Sequence, residues 1–210
     1  MIKNMNNYPP IYAILDYETC KKKNIKLNDF AKGYFNGGGK ILQYRDKVNR
    51  IETIKENANF LNNLCIDYNG LFIINDYVNL ALNLEASLHL GQTDRMLEKD
   101  YKGFWGRSTH SIKEVKKVLI EKPLPSYIAL GAMFKSLTKP EIKNSKNLIE
   151  EAQKLWKKEI VLIGGIHIEN ISKLPRKKNI YYAIISDFFR YGNLPQNIEK
   201  YTKEIINIIN

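Results

Sequence analysis

Residues 40–74, KILQYRDKVNRIETIKENANFLNNLCIDYNGLFII, contain the pattern that decides the fold. Two short β-rich runs, Lys40–Tyr44 and Leu71–Ile74, enclose a more polar stretch. The apolar residues of that stretch recur at helical spacing and would share one helix face: Ile54, Ala58, Leu61, Leu64 and Cys65. A strand, a covering helix and a second strand form the unit from which buried parallel sheets are built.

The same unit recurs along the whole chain. Apolar, β-rich runs occur at eight places: Ile11–Leu15, Lys40–Tyr44, Leu71–Ile74, Ser87–Leu90, Phe104–Arg107, Tyr127–Leu130, Ile160–Ile163 and Ile180–Ile185. Most are separated by stretches with helical periodicity, and the helices after the third and fourth runs must be short. Eight such units in one α/β chain favour a closed (β/α)₈ TIM barrel over an open doubly wound sheet. We predict a single barrel domain over residues 1–210, with its active site at the C-terminal ends of the strands.

The composition limits the class of protein to which the chain belongs. Hydrophobic residues make up 44% and charged residues 26%, which is ordinary for a globular protein. No apolar run approaches the roughly 20 residues of a membrane span, and residues 1–15 lack the cationic and apolar regions of a signal peptide. Cys20 and Cys65 alone form no disulfide framework. These features predict a cytoplasmic protein with no membrane partner.

The net charge of +11 raises the question of a nucleic-acid partner. Only six of the 33 basic residues are Arg, and the lysines are spread over every segment. The sequence has no basic stripe interleaved with aromatic residues and no nucleic-acid motif, so we predict no such partner. A basic pocket for small phosphorylated substrates agrees equally well with the sign of the charge.

Polar side chains follow the second strand. Gln43, Arg45 and Lys47 alternate along an extended chain and would project to the same side. One amide donor and two cations suit a polyphosphate, and Arg offers it a bidentate contact. The alternative is an ordinary strand edge covered with polar residues.

Two carboxylates follow the next two strands. Asp76 and Asp94 come after adjacent strands and would lie near the basic residues of the second strand. Mg²⁺ prefers oxygen ligands and is commonly bound by one or two carboxylates together with water and phosphate oxygens. In the alternative interpretation, Asp76 caps the following helix and Asp94 is an ordinary loop residue.

The remaining strand ends also carry polar groups. Gly164–Gly165 and Ile185–Ser186 follow the seventh and eighth strands, where barrels often bind phosphate through backbone N–H groups. Ser108 and His110 follow the fifth strand as a possible hydrogen-bond donor and a possible acid/base. His89 lies inside an apolar strand, and we interpret it as a core histidine.

Seven segments together resemble one known family, the thiamine-phosphate synthases, and its relative, the thiazole tautomerases. In chain order they are GGGKILQYRDK, LFIINDYVNLAL, LHLGQTD, GRSTHS, ALGAMFKSLTKP, VLIGGIHIEN and IISDFF. The resemblance runs from Tyr12 to the last helix, with the segments in family order and at near-family spacing.

The resemblance implies a role for each matching position. It assigns the pyrophosphate of a hydroxymethylpyrimidine substrate to Gln43, Arg45, Lys47, Asn75 and Lys139. It assigns a Mg²⁺ cofactor to Asp76 and Asp94, and the neighbourhood of the reacting centre to Ser108, with Arg45, Ser108 and Lys139 as the catalytic set. It assigns binding of the thiazole phosphate to Ser136, Thr138, Gly165, Ile185 and Ser186. The implied partners are these two small substrates and a possible second copy in a homodimer.

Two branches of the resemblance remain open. Arg107 in GRSTHS is more typical of the tautomerases, in which the matching His110 would be the acid/base. The elements around Asn75-Asp76 and Asp94 are usual in the synthases and not in the tautomerases. We therefore expect the synthase reaction, with a tautomerase or a non-catalytic relative that binds thiazole phosphate as the alternative.

Overall fold

The computed structural model describes residues 4–134 and 145–210 and contains a closed barrel of parallel strands. The strands pair in chain order and the eighth pairs with the first. They are β1 Ile11–Asp16, β2 Ile41–Arg45, β3 Leu71–Asn75, β4 Ser87–Leu90, β5 Trp105–Thr109, β6 Tyr127–Gly131, β7 Glu159–Ile163 and β8 Ile180–Ile184. The predicted (β/α)₈ fold is confirmed.

Helices surround the barrel. They are α1 Tyr17–Lys22, α2 Leu27–Asn36, α3 Ile51–Asp67, α4 Val78–Asn83, α5 Ile112–Val118, α6 Ser145–Leu155 and α7 Pro195–Ile209. Two 3₁₀ helices, Ile171–Lys173 and Ser186–Phe189, follow β7 and β8. No helix within the described residues is long and apolar enough to cross a membrane.

The alternation of side chains along each strand separates two apolar layers. Tyr12 and Ile14 of β1 belong to the cluster inside the barrel, whereas Ile11, Ala13 and Leu15 pack in the layer between strands and helices. Both layers are buried, which explains why the strands read as nearly continuous apolar runs.

The first and last parts of the chain pack together outside the barrel. A side-chain carbon at Gly33 of α2 would lie 2.4 Å from the carbonyl oxygen of Pro195, so only glycine permits this approach to α7. Asp16, the last residue of β1, is the N-cap of α1 and accepts a 3.0 Å hydrogen bond from the backbone N–H of Thr19.

The sequence located the strands closely and the helices less well. Each strand boundary lies within two residues of its prediction. The short helix expected after β3 is present as α4, but residues 91–104 after β4 contain no helix. The spacing of Val115, Val118 and Leu119 predicts one shared helix face, but α5 ends at Val118 and Leu119 is 39% exposed.

Candidate active site

A cavity of about 140 Å³ opens at the C-terminal ends of the strands. Its walls come from all eight strand regions: Tyr12, Ile14, Gln43, Arg45, Asn75, His89, Ser108, Ala129, Val161, Ile163, Ala183 and Ile185. Five of these residues were predicted from the sequence: Gln43, Arg45, Asn75, Ser108 and Ile185. The apolar residues lie mostly on β6, β7 and β8, so the cavity has a polar side and an apolar side.

The three polar residues predicted at the C-terminal end of β2 lie at increasing distance from the barrel interior. Gln43 is 2% exposed and its side chain lies inside the barrel. Arg45 ends the strand and pairs with Asp16, with 2.5 Å between Nη1 and Oδ1. Lys47 lies beyond the strand and does not line the cavity, and its Nζ is 3.0 Å from Oδ2 of Asp76. The predicted alternation therefore holds to Arg45, and the turn after β2 positions Lys47.

The two predicted metal-binding carboxylates are neighbours. Asp76 follows β3 in the left-handed region at φ 71°, and its backbone N–H donates to the carbonyl of His89 on β4 at 2.9 Å. Burial raises the pKa of Asp76, the nearby Asp94 adds to this, and Lys47 opposes it. Helix α4 has Tyr77 at its N-cap, without a side-chain hydrogen bond, so the helix-cap interpretation of Asp76 is wrong.

Asp94 is held by the turn that follows β4. Its Oδ2 accepts a 2.5 Å hydrogen bond from the backbone N–H of Gly91. Two adjacent carboxylates form a hard oxygen donor set that fits Mg²⁺. The described residues contain no group of three or more metal-binding side chains, so water and substrate oxygens would have to complete the coordination.

A buried hydrogen-bonded histidine lies at the floor of the cavity. Nδ1 of His89 is 3.0 Å from the Tyr127 hydroxyl, and Nε2 is 2.9 Å from Oγ of Ser108. Burial lowers the pKa of His89 to about 4. His89 is a core residue, as predicted, and it also lines the cavity, which was not predicted from the sequence. The missed signal was its place on β4 between Leu88 and Leu90, both of which pack in the outer layer.

Comparison with known proteins identifies the family to which the chain belongs. A family model described as thiamine monophosphate synthase matches residues 11–188. The chain belongs to this family. The thiamine-phosphate synthase of Dictyoglomus thermophilum is 32% identical over 222 aligned positions, covering 98% of this chain and 96% of the relative. The thiamine-phosphate synthase of Nitrosococcus oceani is 31% identical over 186 positions, covering 86% and 85%.

A solved structure agrees in fold. The thiamine phosphate pyrophosphorylase from Pyrococcus furiosus superposes with a TM-score of 0.79, is 22% identical and covers 98% of both chains. The structure of a different enzyme, the KDPG aldolase from Legionella pneumophila, also superposes, with a TM-score of 0.66 at 14% identity. At these identities the structural matches support the barrel fold alone.

The two residues that suggested a thiazole tautomerase lie outside the cavity. Nδ1 of His110 is 3.1 Å from Glu114, and the His110 side chain is half exposed. The buried Arg107 guanidinium bonds to the carbonyl of Gly91 and to Glu121 in the layer outside the barrel. Arg107 therefore does not block the cavity of this member of the thiamine monophosphate synthase family.

The loops after β7 and β8 meet where a phosphate site was predicted. Gly164 and Gly165 have φ angles of 99° and 64°, which favour glycine. Asp187 joins the two loops by accepting a 3.0 Å hydrogen bond from the backbone N–H of Ile168. Ser186 begins the 3₁₀ helix that follows β8. Ser136, Thr138 and Lys139 lie outside the described residues.

Proposed function

We propose that the protein is a thiamine-phosphate synthase, a transferase that joins hydroxymethylpyrimidine pyrophosphate to a thiazole phosphate and releases pyrophosphate. The principal support is that Gln43, Arg45, Asn75 and Ser108, from three different strands, meet at one cavity in a chain of this family. The thiazole phosphate of this proposal is either the carboxylated or the simple form. Both substrates are those that the sequence resemblance implies.

The exposure of the polar residues suggests how the first substrate lies. Gln43 is buried, whereas the Arg45 and Lys47 side chains are 37% and 53% exposed. The pyrimidine ring then occupies the cavity near Gln43, and its pyrophosphate extends outward to the two cations. Lys139 is a further pyrophosphate contact in this proposal, on the strength of the resemblance.

Asp76 and Asp94 would hold Mg²⁺ beside that pyrophosphate. The bound ion would neutralise negative charge on the leaving group. Lys47 contacts Asp76 at 3.0 Å, so it is already near the anion that it would help to bind.

The proposed reaction is a dissociative substitution. The bond between the pyrimidine methylene carbon and the pyrophosphate oxygen breaks, and its electron pair leaves with pyrophosphate. The lone pair of the thiazole nitrogen then forms a carbon–nitrogen bond to the pyrimidine cation. Arg45, Lys47 and Lys139 stabilise the departing charge, and Ser108 hydrogen-bonds near the reacting centre. No protein nucleophile is required.

The apolar side of the cavity has a role in this reaction. Ala129, Val161 and Ile163 face the polar side and offer no group that holds water. Excluding water protects a reactive cation from hydrolysis before the thiazole reaches it. The thiazole phosphate is expected at Gly165, Ile185 and Ser186, with Ser136 and Thr138 as further contacts.

The direct experiment mixes the purified protein with both phosphorylated substrates, with and without Mg²⁺. Formation of thiamine phosphate and pyrophosphate that stops on chelation is expected. Metal-independent isomerisation of a carboxylated thiazole phosphate, without any condensation, would instead establish the tautomerase alternative.

A further inference from the structure

A continuous chain of four hydrogen bonds crosses the barrel beneath the cavity. Nε2 of Gln43 donates to the Tyr12 hydroxyl at 2.8 Å, and this hydroxyl is 3.0 Å from that of Tyr127. The Tyr127 hydroxyl reaches Nδ1 of His89 at 3.0 Å, and Nε2 of His89 reaches Oγ of Ser108 at 2.9 Å. Five residues on five strands therefore form one connected unit.

The first bond fixes the direction of all the others. The NH₂ nitrogen of Gln43 can only donate, so the Tyr12 hydroxyl accepts from it, and Tyr127 is the one remaining described partner for the hydrogen of Tyr12. A buried hydroxyl without an acceptor is costly, so Tyr127 donates in turn to Nδ1 of His89. A neutral imidazole that accepts at Nδ1 carries its proton at Nε2 and donates to Ser108. His89 is buried and its Nδ1 accepts a hydrogen bond, which is the arrangement of a neutral imidazole.

Packing holds the centre of this chain in place. The rings of Phe104 and His89 both stack on Tyr127, with centroids 5.6 and 5.7 Å away. A side-chain carbon at Gly106 would lie 2.1 Å from the Tyr127 ring, so glycine at this position makes room for the tyrosine. Tyr127 is completely buried and does not line the cavity.

We propose that Tyr127 is a positioning residue which, through the Nε2–H tautomer of His89, turns the Ser108 hydroxyl into a hydrogen-bond donor directed at the ligand. The Ser108 hydroxyl, which accepts from His89, has no other hydrogen-bond partner among the described residues, so its hydrogen is available to the cavity. The amide oxygen of Gln43 has no partner within residues 4–134 and 145–210 and offers an acceptor nearby.

This donor and acceptor pair selects a class of ligand. A heteroaromatic ring that carries an unprotonated ring nitrogen and an amino group would satisfy both positions. A ring with the opposite arrangement would face two unmatched polar groups, and buried mismatches of this kind are strongly disfavoured. The assignment to a pyrimidine substrate rests on the proposed function, whereas the direction of the hydrogen-bond chain does not.

Nitrogen NMR of the protein labelled with ¹⁵N-histidine tests the direction without any substrate. The chain has three histidines, and the spectrum of a His89→Gln variant identifies the His89 signals. We expect two- and three-bond proton couplings typical of the Nε2–H tautomer in the unmodified protein. The Nδ1–H tautomer would mean that the chain runs in the opposite direction and would overturn the proposal.

Kinetics test whether Tyr127 acts through Ser108. Tyr127→Phe should raise the KM for the pyrimidine substrate about tenfold, the size of one hydrogen bond, with a smaller effect on kcat. The double variant Tyr127→Phe/Ser108→Ala should raise the KM for the pyrimidine substrate little more than Ser108→Ala alone, because both substitutions remove the same contact. If the effects of the two substitutions on KM are fully additive, Tyr127 does not act through Ser108 and the proposal is wrong.

Tyr181→Phe is the matched control. Tyr181 is also buried inside the barrel, but it does not line the cavity and its hydroxyl bonds to no described residue. This variant should keep KM and kcat within about twofold. An equal effect of Tyr127→Phe and Tyr181→Phe would assign Tyr127 a merely structural role. If the unmodified protein makes no thiamine phosphate, the proposed function fails, yet the His89 tautomer still decides the direction of the chain.

Discussion

Nη1 of Arg107 donates a 2.7 Å hydrogen bond to the carbonyl oxygen of Gly91. The backbone N–H of the same Gly91 donates to Asp94 at 2.5 Å. Gln92 adds a side-chain hydrogen bond to the carbonyl of Ser108. The turn that carries Asp94 is therefore fastened to β5, although residues 91–104 contain no helix.

Replacing Arg107 should loosen this turn and destabilise the fold. Arg107→Met removes the partner of Glu121, which is 3.2 Å away and only 15% exposed. A partly buried carboxylate left without its partner should lower the free energy of unfolding by up to about 3 kcal/mol, measured by urea denaturation. The control is Arg95→Ala, because Arg95 and Glu98 form an exposed pair worth less than about 1 kcal/mol. Equal losses in the two variants would show that Arg107 does not anchor the turn.

Asp76→Asn and Asp94→Asn should each reduce turnover more than about 100-fold, because the leaving pyrophosphate loses the charge neutralisation of the metal. Steady-state rates at increasing Mg²⁺ concentration measure the effect, and the melting temperature should change little. Glu98→Gln, an exposed carboxylate in the segment after β4, should leave the rate unchanged. A rate that is indifferent to chelation of Mg²⁺ would contradict the metal assignment.

Arg45→Ala should mainly weaken binding of the pyrimidine pyrophosphate. Loss of a charge-assisted contact should raise the KM for this substrate by about 10- to 100-fold and leave the KM for the thiazole phosphate nearly unchanged. The control is Arg176→Ala, since Arg176 is exposed and lies before β8, at the opposite end of the barrel. Equal effects on both substrates would argue against a dedicated pyrophosphate site at Arg45.

His110→Ala distinguishes the synthase from the tautomerase. The His110 ring pairs with Glu114 outside the cavity, so its loss should change the condensation rate by less than about threefold. In the same assay, Asp94→Asn should greatly reduce the condensation rate. The reverse order, together with isomerisation of a carboxylated thiazole phosphate, would favour proton transfer by a base at position 110.

The buried His89 should make stability depend on pH. Burial lowers its pKa from 6.5 to about 4 in the folded protein. As the pH falls below about 6.5 the unfolded chain binds a proton that the folded chain refuses until about 4, so stability decreases across this window by about 3 kcal/mol. Urea denaturation at about pH 7 and about pH 4.5 should show a smaller decrease for His89→Gln. Parallel pH profiles for the two proteins would contradict the shift.

Much of the fold could be predicted from local pattern. The spacing of apolar residues located every strand to within two residues, because burial on both faces leaves few polar residues in a parallel strand. Strand ends then indicated the site, since parallel strands place all their C-terminal ends at one edge. Gln43, Arg45, Asn75 and Ser108 reach the cavity for this reason.

Other features depended on contacts between distant parts of the chain. No local pattern could show that Tyr12 meets Tyr127, 115 residues later, because barrel closure and strand register bring them together. The sequence also could not show that the Arg107 side chain points away from the barrel interior, because its partners Gly91 and Glu121 come from two different loops.

The sequence by itself determined which residues form strands and which polar residues stand at their ends, because hydrophobic alternation and periodicity are local properties. Only the tertiary structure decided that His89 bonds to both Tyr127 and Ser108, that Asp76 and Asp94 are neighbours, and that His110 lies outside the cavity. These relations depend on the register between adjacent strands and on the path of each loop, and those are set by the packing of the closed barrel as a whole.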